Sequence, residues 1–293
     1  MPKELPPNLR VSTITATSKI NSNIKIGIVY SHLKLDENIK FIEYSDRPSR
    51  GFHHKCMSAK KKKKKKVFYN QITIIVLIEN DIHNIKLFNN GSISMTGVKS
   101  RENGEKAIHK LCNKLKQTKD DDNVFVFDNP DCEITKFDIV LINSDYDIGY
   151  EIKRSELHQI LVTQYKIFSS FEPCIYPGVN SKFLWNRAYK NAEYTGKCYC
   201  AGICSGKGTG DGEGECKKVT VSVFQSGSVI ITGAKTIEQI NDAYNFINIV
   251  FAKHKEQIKK INPSFLDDNE LLGGKIYKPK KTIWIKKDTI IYP

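Results

Sequence analysis

A thirteen-residue segment occurs twice in this chain. Residues 88–100 read FNNGSISMTGVKS and residues 224–236 read FQSGSVIITGAKT. Phe88 aligns with Phe224, Gly91 with Gly227, Thr96 with Thr232 and Lys99 with Lys235 at one constant offset. A chain of 293 residues that repeats itself across its middle is constrained to two copies of one folding unit. Each copy reads the same way. Ile72–Ile78 is β-branched and apolar, which predicts a strand. Ile85–Phe88 and Ser92–Thr96 flank a turn that needs positive φ at Gly91. Val219–Phe224 and Ser228–Thr232 repeat that hairpin around Gly227. A helix follows near 100–116, with Ala107, Ile108, Leu111 and Leu115 on one face. Another follows near 236–260, with Ile237, Ile240, Ala243, Tyr244, Ile247 and Phe251 on one face. Strands plus one long helix per copy make an α+β unit.

Alternation along the hairpin separates two faces. Ile85, Leu87, Ile93 and Met95 fall on the side a helix would cover; Lys86, Phe88, Ser94 and Thr96 fall on the other. In the second copy Thr220, Ser222, Phe224, Ile230 and Thr232 share the corresponding side. A bare phenylalanine among polar neighbours either packs a hairpin edge or touches a ligand lying on the sheet.

Charge narrows the ligand. Lys and Arg number 46 against 32 Asp and Glu, a formal net charge of +14. The run Lys60–Lys66 supplies half of it, so the remainder of the chain is basic as well. Such a surplus favours a polyanion, nucleic acid or an anionic membrane surface. The longest apolar run, Ile72–Ile78, is far short of a bilayer span. Met1-Pro2-Lys3-Glu4-Leu5 lacks the apolar core of a secretory signal. An intracellular chain is expected, with its eight cysteines as thiols or metal ligands.

Four segments, in order, resemble one family. Phe168–Gly178, FSSFEPCIYPG, is similar to the FSSYEPELFPG segment of TATA-box-binding proteins. Val223–Lys235, VFQSGSVIITGAK, resembles their IFVSGKVVLTGAK, and Val11–Asn21 resembles VSTVNLGCKLD. Phe88–Ser100 resembles the matching hairpin of the first half. The resemblance is strongest toward the giant-virus branch, in keeping with the Lys, Asn and Ile bias. It implies a saddle of two pseudo-symmetric repeats sharing one curved antiparallel sheet, with helices on the convex side. Residues 9–116 would form the N-terminal repeat, with a Lys-rich insertion at about 50–67, and 117–135 a linker. Residues 136–262 would form the C-terminal repeat, with a Cys/Gly-rich insertion at 186–218, and 263–293 an extension.

The same resemblance implies a function: binding and bending AT-rich double-stranded promoter DNA through the minor groove, and recruiting a general transcription factor IIB-like protein and RNA polymerase. Phe88 and Phe224 match the aromatic wedges of the third strands, and Tyr176 a second wedge of the C-terminal half. The fourth position falls on Gln71, and Tyr69, two residues earlier, is taken as its replacement on the same strand face. Thr96 and Thr232 match threonines that approach base edges; Val11, Asn143, Ser94, Ser222 and Ile230 are further groove candidates. Lys99, Lys235, Lys182 and Lys86 suit phosphates. Two departures stand out. The family's central asparagines fall on Leu9 and Leu141, with Asn8 and Asn143 nearby. Lys86 and Ser94 replace apolar residues. Relaxed sequence preference follows, and so does an alternative: a scaffold of this fold that acts through protein partners.

The insertions carry separate chemistry. Cys198, Cys200, Cys204 and Cys216 lie amid seven glycines between 196 and 214. Four thiols at that density suit a structural, tetrahedral Zn²⁺, or else form a flexible linker of reactive thiols. His53, His54 and Cys56 offer three ligands without a fourth. Lys60–Lys66 reads as a solvated loop, a phosphate contact or a localisation signal. Thr282–Ile285 and Thr289–Tyr292 suggest a small hairpin. Paired carboxylates on matched strands, a Cys–His dyad and a phosphate loop are missing from the sequence pattern, so neither catalysis nor a small-molecule substrate is expected. No membrane partner is expected. The location would be the nucleus if the source is cellular, or a viral factory or virion if viral.

Overall fold

The computed structural model describes residues 4–52, 68–188, 195–200, 204 and 206–260. The Lys-rich insertion with His53, His54 and Cys56, and the hairpin expected at 282–292, lie outside the described residues. The N-terminal half runs β1 (Arg10–Ile20), α1 (Ile26–His32), β2 (Ile39–Tyr44), β3 (Arg50–Gly51), β4 (Gln71–Ile78), β5 (Asp81–Phe88), β6 (Ser92–Val98) and α2 (Arg101–Lys116). The C-terminal half runs β7 (Ile134–Asp147), α3 (Arg154–Thr163), β8 (Phe168–Ser170), β9 (Val179–Trp185), β10 (Lys217–Val223), β11 (Ser228–Ala234), α4 (Ile237–Lys253) and α5 (Lys255–Ile258). All eleven strands join one antiparallel sheet in the order β3-β2-β4-β5-β6-β1-β7-β11-β10-β9-β8. The first strands of the two halves, β1 and β7, pair at its centre.

The halves are built alike because the repeated segment sets the same turns. The amide of Ile20 donates to Gly91 O at 2.9 Å and that of Ile148 to Gly227 O at 3.1 Å. Ile24 and Ile152 then donate to Asn89 O and Gln225 O, at 2.7 and 2.8 Å. Gly91 and Gly227 have φ of 81° and 92°. A Cβ at Gly91 would lie 2.3 Å from Ser22 O, and one at Gly227 2.3 Å from Tyr150 O, so no side chain fits either turn. The last residue of each copy caps the helix that follows. Ser100 Oγ accepts from the amide of Asn103, and Thr236 Oγ1 from that of Gln239.

The helices lie on one face and bury one row of each strand. Ile85, Leu87, Ile93 and Met95 are buried beneath α2 together with Ile72 and Ile74; Val219, Val221, Val229 and Ile231 are buried beneath α4. Two elements differ from expectation. The second long helix stops at Lys253, and α5 resumes after His254, whose φ of −114° is not helical. The His254 ring is tied to Tyr165 Oη at 3.2 Å, and α5 turns to bury Ile258 and pass its carbonyl to the amide of Lys153. Residues 117–133 pack as a strap in which Val126, Phe127 and Cys132 are buried and Phe127 bridges to Ile24. Among the described residues no helix is long and apolar enough to cross a membrane.

Candidate nucleic-acid interface

Among the described residues, the opposite face of the sheet carries no helix. Its central row is polar and continuous. Phe168 stands opposite Lys182, Lys182 opposite Thr220, and Thr220 opposite Thr232. Thr232 Oγ1 donates to Asn143 Oδ1. Asn143 pairs with Thr13 across the central strands, and Thr13 Oγ1 accepts from the amide of Gly97 at 3.0 Å. In the N-terminal half a parallel row runs Thr17, Ser94, Lys86 and Thr73. Half-exposed hydroxyls and amides along a sheet face can meet base edges without demanding one donor pattern.

The aromatic candidates frame this face. Tyr176 and Phe224 form a tilted pair, ring centroids 5.7 Å apart. Gly178 lies beneath them: a Cβ there would come within 3.0 Å of Tyr176 Cε1 and 3.2 Å of Phe224 Cε1. The glycine of the FPG-like turn therefore leaves room for two rings. In the N-terminal half, Phe88 is half-buried and faces Gln71 across the ladder. Tyr69 is not on the strand. β4 begins at Gln71, and Tyr69 sits in the preceding turn, 67% exposed, its carbonyl accepting from Tyr44 Oη. The antiparallel register nevertheless equates it with Tyr176: each precedes by two residues the position opposite the hairpin phenylalanine.

Other candidates separate. Thr96 is exposed and pairs with Asn84; Ile230 is half-exposed on the free face. Ser222 is buried, its hydroxyl accepting from Asn180 Nδ2 at 3.3 Å. Val11 turns the other way. It pairs with buried Ser144 beside a β-bulge and packs on the core, because the bulge shifts the alternation of β1. Leu9 is buried, and Asn8 accepts from Tyr244 Oη of α4, so neither stands at the centre of the face. Lys86, Lys99 and Lys235 are exposed, and Lys99 Nζ donates to Ser12 O. Lys182 Nζ donates to Thr220 Oγ1 at 3.1 Å; burial, then the charge of Lys218, holds its pKa below the usual lysine value. Thr13 and the 68% exposed Phe168 join Thr220 on this face beyond the expected DNA contacts; the alternation that groups Thr220 with Thr232, and the FSS segment, carry the sequence signal. Asp145 and Asp147 take the ladder positions held by Thr17 and Lys19 in the other half, and Arg10 Nε meets Asp145 at 2.7 Å.

At the far end of β9 and β10 the four cysteines come together. The sulfurs of Cys198, Cys200, Cys204 and Cys216 all lie within 4.8 Å of one another. Cys198 and Cys204 are 3.6 Å apart, close to the ~3.8 Å edge of a tetrahedron with 2.3 Å metal–sulfur bonds. Cys204 and Cys216 are buried. Burial works to raise the Cys204 pKa, but amide donors from Gly208 and Gly206 and the neighbouring thiols leave it lowered. The neighbouring Cys216 thiol is pushed up by burial and by the surrounding sulfurs. Gly212 is required, since a Cβ there would sit 2.5 Å from Cys204 Cβ. This group can bind a metal ion.

Comparison with known proteins bears on the same surfaces. Over 267 residues, 86% of this chain and 67% of the other protein, the sequence is 33% identical to the TATA-box-binding protein-like protein of Acanthamoeba polyphaga mimivirus. The chain belongs to the TATA-box-binding protein family. A family model described as transcription factor TFIID, or TATA-binding protein, matches residues 214–254, which span β10, β11 and α4. The TATA-box-binding protein of Methanococcus maripaludis is 24% identical over 172 residues, 59% of this chain and 70% of that protein. The solved Methanococcus jannaschii TBP covers 85% of this chain and 99% of its own at 19% identity, with a TM-score of 0.44. Proteins of this family are transcription factors rather than enzymes.

Proposed function

We propose that this protein is a transcription initiation factor that binds AT-rich promoter DNA through the minor groove and bends it. The observation that carries the reading is the Tyr176–Phe224 pair above Gly178, at the end of a face of threonines, serines and one central asparagine. The minor groove presents A·T and T·A almost identically, as acceptors, and Thr13, Thr96, Thr232 and Asn143 offer short groups suited to it. Minor-groove proteins, with this family among the type examples, insert apolar side chains between base steps and kink the duplex. Tyr176 and Phe224 would unstack one step together, and Phe88 with Tyr69 a second. Lys99, Lys235, Lys182 and Lys86 would hold the backbone on both sides. The functional division is a repeat at 9–116 and a repeat at 136–262.

The cysteine group is read as a structural zinc site. Four thiolates within tetrahedral reach fill the coordination of Zn²⁺ and leave no open position. The DNA-bound protein would recruit a general transcription factor IIB-like protein and RNA polymerase, and act wherever its genome is transcribed, in a nucleus or a viral factory. Exposed Asp147 and buried Leu9 favour a second reading, a scaffold with relaxed DNA specificity, because a carboxylate on the face repels phosphate.

End-labelled TATA duplex decides between them. Binding and end-to-end distance are measured at two salt concentrations for the parent and for Phe224→Ala. Strong bending that Phe224→Ala abolishes supports the promoter-binding reading. Unbent, purely salt-dependent binding that ignores Phe224 leaves the scaffold.

A further inference from the structure

The loop that carries the four cysteines does more than join β9 to β10. It grips the ends of both strands by backbone hydrogen bonds. Leu184 N donates to Gly196 O, Arg187 N to Gly214 O and Lys218 N to Gly208 O, at 2.8–2.9 Å. It also reaches both faces of the sheet. A Cβ on Gly196 would strike Phe183 and Ile167, on the helix side, at 2.8 and 2.9 Å. A Cβ on Gly208 would strike Lys218 Cβ and Leu184 Cδ2, on the helix-free side, at 2.7 and 2.8 Å. The loop is therefore a wall at one end of the helix-free face.

The wall stands among lysines. Lys217 and Lys218 directly follow Cys216, and Lys218 shares the free face with Thr220 and Phe224. Lys217 lies within electrostatic reach of Lys218, Lys235 and the carboxylate of Asp211, and Lys182 within reach of Lys218. None of these four lysines makes an ion pair within 4 Å among the described residues. Crowded cations repel one another unless an anion sits between them, and a phosphodiester backbone crossing the end of this face supplies one.

We infer that the metal-bound cysteine loop is a DNA-backbone clamp: metal holds Gly208 and Cys216 against β10, which fixes Lys218, on the helix-free face beside Lys182, for a phosphate at the end of the sheet. This rests on the DNA-binding reading above and adds a metal dependence to it. One lysine lost from the footprint lowers the magnitude of the salt slope by about 1 and weakens binding about fivefold near physiological salt.

The experiment uses the full chain loaded with Zn²⁺, with metal counted by mass spectrometry and fold followed by circular dichroism. Affinity for an end-labelled TATA duplex is measured against salt for the loaded protein, the chelated protein, the reloaded protein and Lys218→Gln. The expected result is one zinc per chain and a shallower salt slope on chelation. Reloading should restore it, and Lys218→Gln should match the chelated protein and gain nothing from zinc. A chain that binds no zinc overturns the inference. So does one whose affinity and slope survive both chelation and Lys218→Gln, even though Phe224→Ala still abolishes bending; the loop then serves a protein partner. If the loaded parent does not bind the duplex at all, the promoter reading fails first, and the two failures are told apart.

Discussion

In the N-terminal half, β4 and β5 are joined by Glu79 and Asn80 alone, in a tight turn with Glu79 at φ 54°. In the C-terminal half, the equivalent β9 and β10 are separated by residues 186–216, including the cysteine group. At the other end of the same hairpins, Phe88 faces Gln71 while Phe224 leans on Tyr176. On the first strands, Thr17 and Lys19 correspond to Asp145 and Asp147. The halves agree where backbone geometry forces them to, at the hairpin turn and helix cap. They diverge in the side chains of the helix-free face and in the connection between the paired strands. The C-terminal half holds the paired rings and the cysteine group, and the N-terminal half keeps Thr17 and Lys19 where the other has Asp145 and Asp147.

The sharpest break of that comparison is at the shared turns. Gly91→Val or Gly227→Val places a Cβ on a backbone oxygen and demands a strained φ, and should cost about 3 kcal/mol or more in either half. Denaturant melts of both variants check it, and a large inequality would mean that the turns are not equivalent. Next come the wedges. Phe224→Ala should lose about 1–3 kcal/mol of DNA binding together with the bend, on the scale of a stacking contact. Phe88→Ala should lose less, because Phe88 has Gln71 rather than a second ring beside it. Equal losses in affinity and bending angle would erase the asymmetry.

A third effect belongs to the N-terminal half. His83 of β5 is fully buried, and among the described residues neither ring nitrogen has a hydrogen-bond partner. Burial lowers its pKa, partly opposed by Asp81. The unfolded chain takes up a proton below about pH 6.5 while folded His83 resists it. Stability should therefore fall as pH drops below that value and level off below the folded pKa. Melts from pH 7.5 to 5 test this, with His83→Leu expected to flatten the profile. The smallest effect tests equality again: Ser100→Ala and Thr236→Ala should each cost about 1 kcal/mol by removing a helix cap.

Much of the fold was legible because its signals are local. The Phe-x-x-Gly turns and the Thr-Gly-x-Lys-Ser/Thr ends specify hairpin and cap from neighbours within a few residues. The resemblance supplied the saddle, and the identity to a viral TATA-box-binding protein-like relative agrees with it. The site was legible in part. Phe88, Thr96 and Thr232 fall on the side that alternation from their hairpin partners Gln71, Asn84 and Thr220 gives, and Phe224 follows β10 on the same side. Val11 did not, because a β-bulge moved it to the core side. Tyr69 did not sit on a strand, because β4 starts two residues later.

By itself, then, the sequence determined two repeated α+β units, their turns, their caps and the composition of a basic, threonine-rich face. Only the tertiary structure decided that Asn143 meets Thr232 and Thr13, that Tyr176 stacks on Phe224 over Gly178, and that four cysteines close on one point beside Lys218. The reason is separation along the chain. Turn geometry and capping are fixed by backbone torsions of adjacent residues, whereas these contacts join residues as many as 130 positions apart and depend on strand register, where one bulge reverses which face a side chain takes.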